Sequence, residues 1–336
     1  MSTTLAFPSL RLTSPGHMSI AEQSLPKLRE HEVLVKVAAC GICGTDRHIY
    51  HGSYPATLPV VPGHEFAGHI EALGSGVANV EIGQFVTINP NIWCRHCQAC
   101  LEGRPHLCSN MQALGVNLDG GMSLYCVVPE QLLYNVLPMI DPLKACLAEP
   151  ISCVLHGLDR LEIKAGTRAA VFGGGFIGQL MLQAIQLQGA TEVILVEPQA
   201  HKRQVANELG FATIDPFSEP SMMTKLKDLD FTVDCAGAGG VLTQCVNATK
   251  PGGDVLLFAA YPQGKALPIE PYEIFRKELR LIGTFTYPDT QLRAIRLIEK
   301  GAFELDSLIT AVSLEEVQDY LEGLRDDEII KAVVKL

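Results

Sequence analysis

Hydrophobic and polar positions alternate along residues 32–39 (EVLVKVAA), the period of a strand with one face buried. HEFAGHIEALG and QFVTINP repeat that period, and residues 119–138 (DGGMSLYCVVPEQLLYNVLP) return to it before a proline. With glycine and proline frequent between these runs, the first hundred or so residues are expected to form an all-β, barrel-like unit. LKACLAEPISCVLHGLDRLEI shifts to a helical period through Leu147, Ile151, Val154, Leu155 and Leu158. From Thr167 the texture changes again: RAAVF reads as a hydrophobic strand, GGGFIG as a turn, the following residues as an amphipathic helix, and EVILVEP as a second strand. FTVDCAG, a helix through Val241–Thr249 and DVLLFAA continue the alternation with strands that are apolar throughout, as buried parallel strands are. Near Gly283 it stops. Helices are predicted over 289–300 and 313–324, the second opening with Ser313 and Glu316 spaced as a capping box, and KAVVKL closes the chain as a short strand. A returning β segment predicts that the tail rejoins the first unit.

A chain of 336 residues is long enough for two domains. Hydrophobic residues make up 47% and charged residues 19%, which supplies a large core and no signature of disorder. A net charge of −11 argues against a nucleic-acid or anionic-membrane partner, since either needs a basic face. The N-terminal residues carry no signal pattern and no apolar run reaches about 18 residues, so a soluble cytoplasmic protein is expected.

The stretch from Cys40 to Glu65 concentrates the chemistry. It holds Cys43, Thr45, Asp46, His48 and His51, then a proline-rich loop and Gly63-His64-Glu65. Thiolate, imidazole and carboxylate are donors that zinc accepts, and a catalytic zinc needs three of them and an open position. Gly63 is expected to let the backbone approach the ion, and Asp46 to hold the ligand imidazole by its second nitrogen. Cys40 and Cys43 also spell C-x-x-C. A redox pair would open a helix within a βαβ unit, whereas a loop is expected after Cys43, so Cys40 is assigned to the core. His51 and His69 are read as structural.

Eleven cysteines is an odd number, and four of them fall at Cys94, Cys97, Cys100 and Cys108. Such spacing lets four thiolates close around a zinc ion with no position left for substrate, a structural site that leaves His96 and His106 superfluous. Further on, Gly173, Gly175 and Gly178 form G-x-G-x-x-G between a strand and a helix, the context in which a pyrophosphate approaches the backbone. Phe176 and Ile177 begin that helix. Glu197 ends the next strand, placed for ribose hydroxyls, with Lys202 just beyond. Glu149, at the start of an apolar helical run, is a candidate active-site carboxylate.

Together CGICGTD (40–46), GHE (63–65), the four-cysteine lobe, Glu149-Pro150 and GGGFIG (173–178) resemble the zinc-dependent medium-chain alcohol and polyol dehydrogenases over essentially the full length. The resemblance implies an α/β protein: a GroES-like β-rich catalytic domain from 1–150 and 285–336, with the zinc lobe at 90–110, and a Rossmann domain at 151–284 between them. It implies two zinc ions and NAD. Cys43 and His64 would bind the catalytic zinc, with Glu65 or Glu149 completing the set directly or through water, and Cys94, Cys97, Cys100 and Cys108 the structural one. Simple alcohol dehydrogenases carry Cys where this chain has Glu149, which resembles the sorbitol, threonine and sugar-acid branch. Tyr50 matches a tyrosine beside the substrate in the sorbitol type. Thr286-Tyr287 aligns with that type's Arg-Tyr pair, so the arginine is lost and sorbitol itself is in doubt. The expected reaction is reversible, NAD-dependent oxidation of a secondary alcohol in a polyol or sugar acid to the ketone, with Thr45 and His48 as proton relay; an amino alcohol of the threonine type or a simple alcohol is the alternative substrate. A homo-oligomer, dimer or tetramer, is expected.

Overall fold

A computed structural model describes residues 6–261, 264, 266–325 and 329–336. Its contacts divide the chain into two compact units. The first runs through Ser152 and resumes with Pro288–Gly301 and Ile309–Leu336; the second comprises Cys153–Tyr287 and Ala302–Leu308. Residues 285–287 and 302–308, placed with the first unit by the sequence, therefore group with the second, and residues 151–152, placed with the second, group with the first.

Strand Glu32–Gly41 is the spine of the first unit. The sheet runs in the order Ile309–Val312, Lys331–Lys335, Glu32–Gly41, Glu65–Leu73, Phe85–Ile88, Leu133–Asn135. One edge of the spine pairs antiparallel with Glu65–Leu73 along its length. The other edge is shared: Tyr125–Pro129 takes residues 32–36 and Lys331–Lys335 takes residues 39–41. Val33, Val35 and Val37 point into a core with Ile70, Val86, Val128 and Val334, which is why the alternating pattern was readable. An N-terminal hairpin, Ala6–Ser14 with His17–Ser24, was not anticipated; Leu10 and Leu12 anchor it in the same core. A strand at Ile309–Val312 was not anticipated either, and it pairs parallel with Lys331–Lys335.

Six parallel strands form the second unit, ordered Ala212–Ile214, Glu192–Val196, Arg168–Phe172, Leu229–Asp234, Thr249–Leu257, Arg280–Gly283. In chain order that is 3-2-1-4-5-6, the doubly wound arrangement whose ligand site falls at the switch point beside the first strand. Ala169 to Phe172 are essentially inaccessible, as a strand covered on both faces must be. The expected C-terminal helices are shorter than predicted, Gln291–Glu299 and Val317–Leu321. Only half of the anticipated capping box forms: Ser313 N–H donates to Glu316 Oε2 at 2.8 Å.

Candidate active site

Cys43 ends the spine's connection and caps a helix, Gly44–Tyr50. The expected loop after Cys43 is thus a helix. Its start is a reciprocal box in which the thiol replaces the usual hydroxyl: Cys43 Sγ accepts Thr45 N–H at 3.5 Å, and Cys43 N–H donates to Asp46 Oδ2 at 2.8 Å. The other Asp46 oxygen accepts Gly63 N–H at 3.2 Å. One buried carboxylate therefore pins the cysteine to the turn that carries His64. The ground for setting aside a redox pair becomes burial: Cys40 is fully inaccessible, and burial first, then Asp46, pushes its thiol well above the usual range.

Gly63 has φ +92°, and a Cβ there would fall 2.5 Å from Cys40 Sγ and 2.8 Å from Met122 Cγ. The glycine thus makes room for Cys40 and Met122. It delivers His64 to within reach of Cys43 and Glu65, whose ligand atoms all lie within 4.8 Å of one another. His64 Nδ1 is buried 3.5 Å from Asp46 Oδ1 without a hydrogen bond. Burial opposes a charged ring, but Asp46 and Cys43 outweigh it and raise the His64 pKa well above normal. Glu65, 1% exposed, opens strand Glu65–Leu73 opposite Gly41 and pairs with buried Lys331 at 2.5 Å. Lys331 was not singled out from the sequence; a lysine opening a strand reads as a solvated end.

Glu149 is buried in the first turn of helix Ala148–Leu158, in the same unit. It is not among the three side chains whose ligand atoms cluster. Thr45 and His48 lie half-buried on the helix capped by Cys43, and His48 Nδ1 is 3.2 Å from Ser53 Oγ. Tyr50, expected beside substrate, is buried and its hydroxyl donates to Glu322 Oε1 at 2.7 Å. Tyr287 is fully buried in the second unit, and Thr286 beside it has φ +43°. His69 is exposed and lies against Phe85, with centroids 4.9 Å apart, and His51 is also exposed.

Cys94, Cys97, Cys100 and Cys108 form the second cluster of mutually close donors among the described residues, and His96 and His106 are outside it. Cys108 Sγ is 3.5 Å from Cys94 Sγ. Backbone N–H groups at Cys100 and Ser109 hold the Cys97 thiol down to about 6, nearer the thiolate a metal takes.

In the second unit the Gly-rich turn joins strand Arg168–Phe172 to helix Phe176–Leu187. A Cβ on Gly178 would sit 1.9 Å from Gly173 O, so that glycine sets strand–helix packing. A Cβ on Gly175, the helix N-cap, would meet nothing within 4 Å, leaving the helix start open to a phosphate. Glu197 faces the turn: its Oε2 accepts Gly174 N–H at 2.6 Å and its Oε1 accepts Gln199 N–H at 2.7 Å. Lys202 is half-buried, its carbonyl accepting Gln179 Nε2 at 2.9 Å. Arg203 is turned away to Asp215 at 3.2 Å and to the backbone oxygens of Glu197 and Pro198.

Sulfur, nitrogen and oxygen donors converging in a buried cluster fit zinc, and an uncovered helix start on a doubly wound sheet fits a dinucleotide. Zinc and a nicotinamide dinucleotide are the two groups that hydride transfer at an alcohol carbon uses. Comparison with known proteins agrees. Residues 29–138 match the alcohol dehydrogenase GroES-like domain, and residues 177–300 match the zinc-binding dehydrogenase domain. The chain belongs to the zinc-dependent medium-chain dehydrogenases, oxidoreductases acting on CH–OH groups with zinc and a nicotinamide cofactor. It is 30% identical to D-arabinitol dehydrogenase 1 of Uromyces fabae, over 97% of this chain and 96% of that protein. L-threonine 3-dehydrogenase of Pyrococcus horikoshii is 33% identical over 89% of each chain. A candidate zinc-binding dehydrogenase from Sinorhizobium meliloti 1021, solved bound to NADP, superposes with a TM-score of 0.95 at 38% identity, over 99% of this chain and all of that one. Among the described residues no helix is long and apolar enough to cross a membrane.

Proposed function

We propose that this chain catalyses the reversible, NAD-dependent oxidation of a secondary alcohol in a polyol or sugar acid to the ketone. The observation that carries the reading is the composition of the Cys43–His64–Glu65 cluster: a single thiolate leaves the metal harder than two would, which suits a substrate offering neighbouring oxygens. Relatives named for sugar alcohols support it.

Bound zinc supplies Lewis acidity toward the substrate hydroxyl, and bound NAD accepts the hydride. Cys43, His64 and Glu65 are assigned to hold the metal, and Asp46 to orient His64 while fixing Cys43 through its N–H. The Thr45 hydroxyl is assigned to receive the substrate proton and pass it to His48. Because His48 Nδ1 is engaged with Ser53 Oγ, whose own proton goes to the His48 carbonyl, Nε2 is the nitrogen that would accept the proton from Thr45, with release from the Nδ1 side through Ser53. Glu149 is the second carboxylate, assigned to favour substrates with vicinal oxygens. Cys94, Cys97, Cys100 and Cys108 would hold a structural zinc. Gly173, Gly175, Phe176, Ile177 and Gly178 are assigned to the pyrophosphate, Glu197 and Lys202 to the adenosine ribose, and Thr286 and Tyr287 to the substrate; the Tyr50 hydroxyl, bonded to Glu322, is left out of that set. Assembly of two or four copies belongs to the same proposal and is read by sedimentation equilibrium.

An amino alcohol of the threonine type is the second reading, supported by the threonine dehydrogenase relative. Following NADH absorbance with a panel of polyols, sugar acids, amino alcohols and simple alcohols separates the readings. Turnover of polyols or sugar acids with the highest kcat/KM is expected. A best substrate among simple monoalcohols would overturn the proposal.

A further inference from the structure

Lys331 is 5% exposed, and strand Lys331–Lys335 is otherwise apolar until its last residue. A buried ammonium is costly unless it is paired and hydrogen-bonded. Here it stands 2.5 Å from Glu65 Oε2 and donates to the Ile42 carbonyl at 2.8 Å. The place is built for it. Val333 and Val334 pair with Gly41 and Cys40, which brings the strand alongside the end of the spine. Gly41 sits opposite Glu65 on the other edge, and a Cβ there would fall 2.1 Å from Glu65 Oε2 and 3.1 Å from Lys331 Cε. A side chain at position 41 would fill the space in which carboxylate and ammonium meet.

The same Glu65 belongs to the cluster with Cys43 and His64, and Asp46 is buried against both Cys43 and the His64 turn. Cys43, Asp46, Glu65 and Glu149 make this part of the molecule rich in acidic donors, and Lys331 is the buried cation placed against one of them.

We propose that Lys331 is a positioning residue for the metal site: it holds one oxygen of Glu65, leaving the other for the metal, and it offsets one negative charge beside the donors. The inference rests on the assignment of Cys43, His64 and Glu65 as metal ligands.

Three variants of the full chain, Lys331→Met, Lys331→Arg and the double Glu65→Gln/Lys331→Met, test it. Two measurements need no substrate. One is the rate at which each zinc passes to a chelator at fixed pH, with the four-cysteine zinc as internal control. The other is the visible spectrum after Co2+ replaces the more labile zinc, which reports the number and kind of donors. Lys331→Met leaves an extra negative charge beside the metal, so its zinc should leave at least about fivefold more slowly. Its Co2+ bands should shift as Glu65 loses its tether. Lys331→Arg should keep both readouts within about twofold of wild type. The double variant keeps the pair neutral, as in wild type, and should return the release rate to within about threefold of wild type. Unchanged release and spectrum in folded Lys331→Met would overturn the proposal. So would failure of both Met-containing variants to fold, which would make the pair a requirement of the fold. Wild type binding a single zinc would instead remove the ligand assignment beneath the proposal.

Discussion

Gly174 donates its backbone N–H to Glu197 Oε2 at 2.6 Å, so the turn that would cradle the pyrophosphate also fixes the carboxylate at the end of the next strand. With Gln199 N–H on the other oxygen and 5% exposure, Glu197 cannot easily swing aside for a 2′-phosphate. Of the two nearby cations that could soften the repulsion, Lys202 and Arg203, the second is committed to Asp215 and two carbonyls. NAD is therefore expected over NADP by roughly a hundredfold in kcat/KM, about 2.7 kcal/mol. Glu197→Gln should narrow that ratio at least about tenfold. Equal kcat/KM for both cofactors in wild type would remove Glu197 from this role.

Two glycines of the same turn should respond differently to alanine. At Gly175 a methyl group meets open space, so Gly175→Ala should fold normally and raise the KM for NAD at least about fivefold by crowding the phosphate. At Gly178 it would fall 1.9 Å from Gly173 O, and the expected result is loss of folded protein or of cofactor binding altogether. Thermal melts and cofactor titration read both. Gly175→Ala with wild-type KM would argue against phosphate at the helix start.

The two donor clusters should separate on metal analysis and melting. Wild type is expected to hold two zinc ions per chain. Cys97→Ser should lower stability and yield with little change in substrate KM, because the lobe's metal energy is folding energy. Cys43→Ser should abolish turnover in a folded protein. One zinc per chain in carefully prepared wild type contradicts this.

Glu149→Gln keeps shape and removes charge. If the carboxylate acts at the metal with substrate bound, kcat should fall at least about tenfold, or roughly 1.4 kcal/mol. Wild type should also prefer a vicinal diol to a primary monoalcohol of equal length. Full kcat in the variant would confine Glu149 to packing in the helix it begins.

Tyr50→Phe tests whether the hydroxyl belongs to the substrate or to Glu322. Given the 2.7 Å bond to an exposed carboxylate, a stability loss of about 1 kcal/mol with unchanged KM is expected. A tenfold rise in KM without a change in melting temperature would return Tyr50 to the substrate.

Much of the fold was legible because burial imposes periods. The central parallel strand Arg168–Phe172 is covered on both faces and reads as an unbroken apolar run; the spine, with one set of side chains in the core, reads as alternation. The four-cysteine lobe was legible from spacing alone. Other parts were hidden for identifiable reasons. The Cys43 helix spans seven residues, begins with glycine and is capped by a thiol where sequence patterns look for a hydroxyl. In the N-terminal hairpin, Pro8 and several polar residues interrupt the alternation that Phe7, Leu10 and Leu12 begin. Lys331 needs partners distant in sequence to explain its burial, and Gly41 and Gly63 reveal their purpose only when the atoms beside them are known.

Sharing one edge of the spine between Tyr125–Pro129 and Lys331–Lys335 has a consequence for the newborn chain. Residues 39–41 and the strand that covers them are separated by 289 intervening residues between Gly41 and Lys331. At the usual pace of translation that is a delay of about 15–60 s. Throughout it the pair with Glu65–Leu73 can form while the 39–41 end of the outer edge stays open to any passing strand, and Glu65 waits without its lysine. Meanwhile the parallel sheet, continuous over most of its length, can finish on the ribosome. Chaperone dependence during synthesis is thus expected to centre on residues 39–41, an edge protected in the finished molecule and unguarded while it is being made.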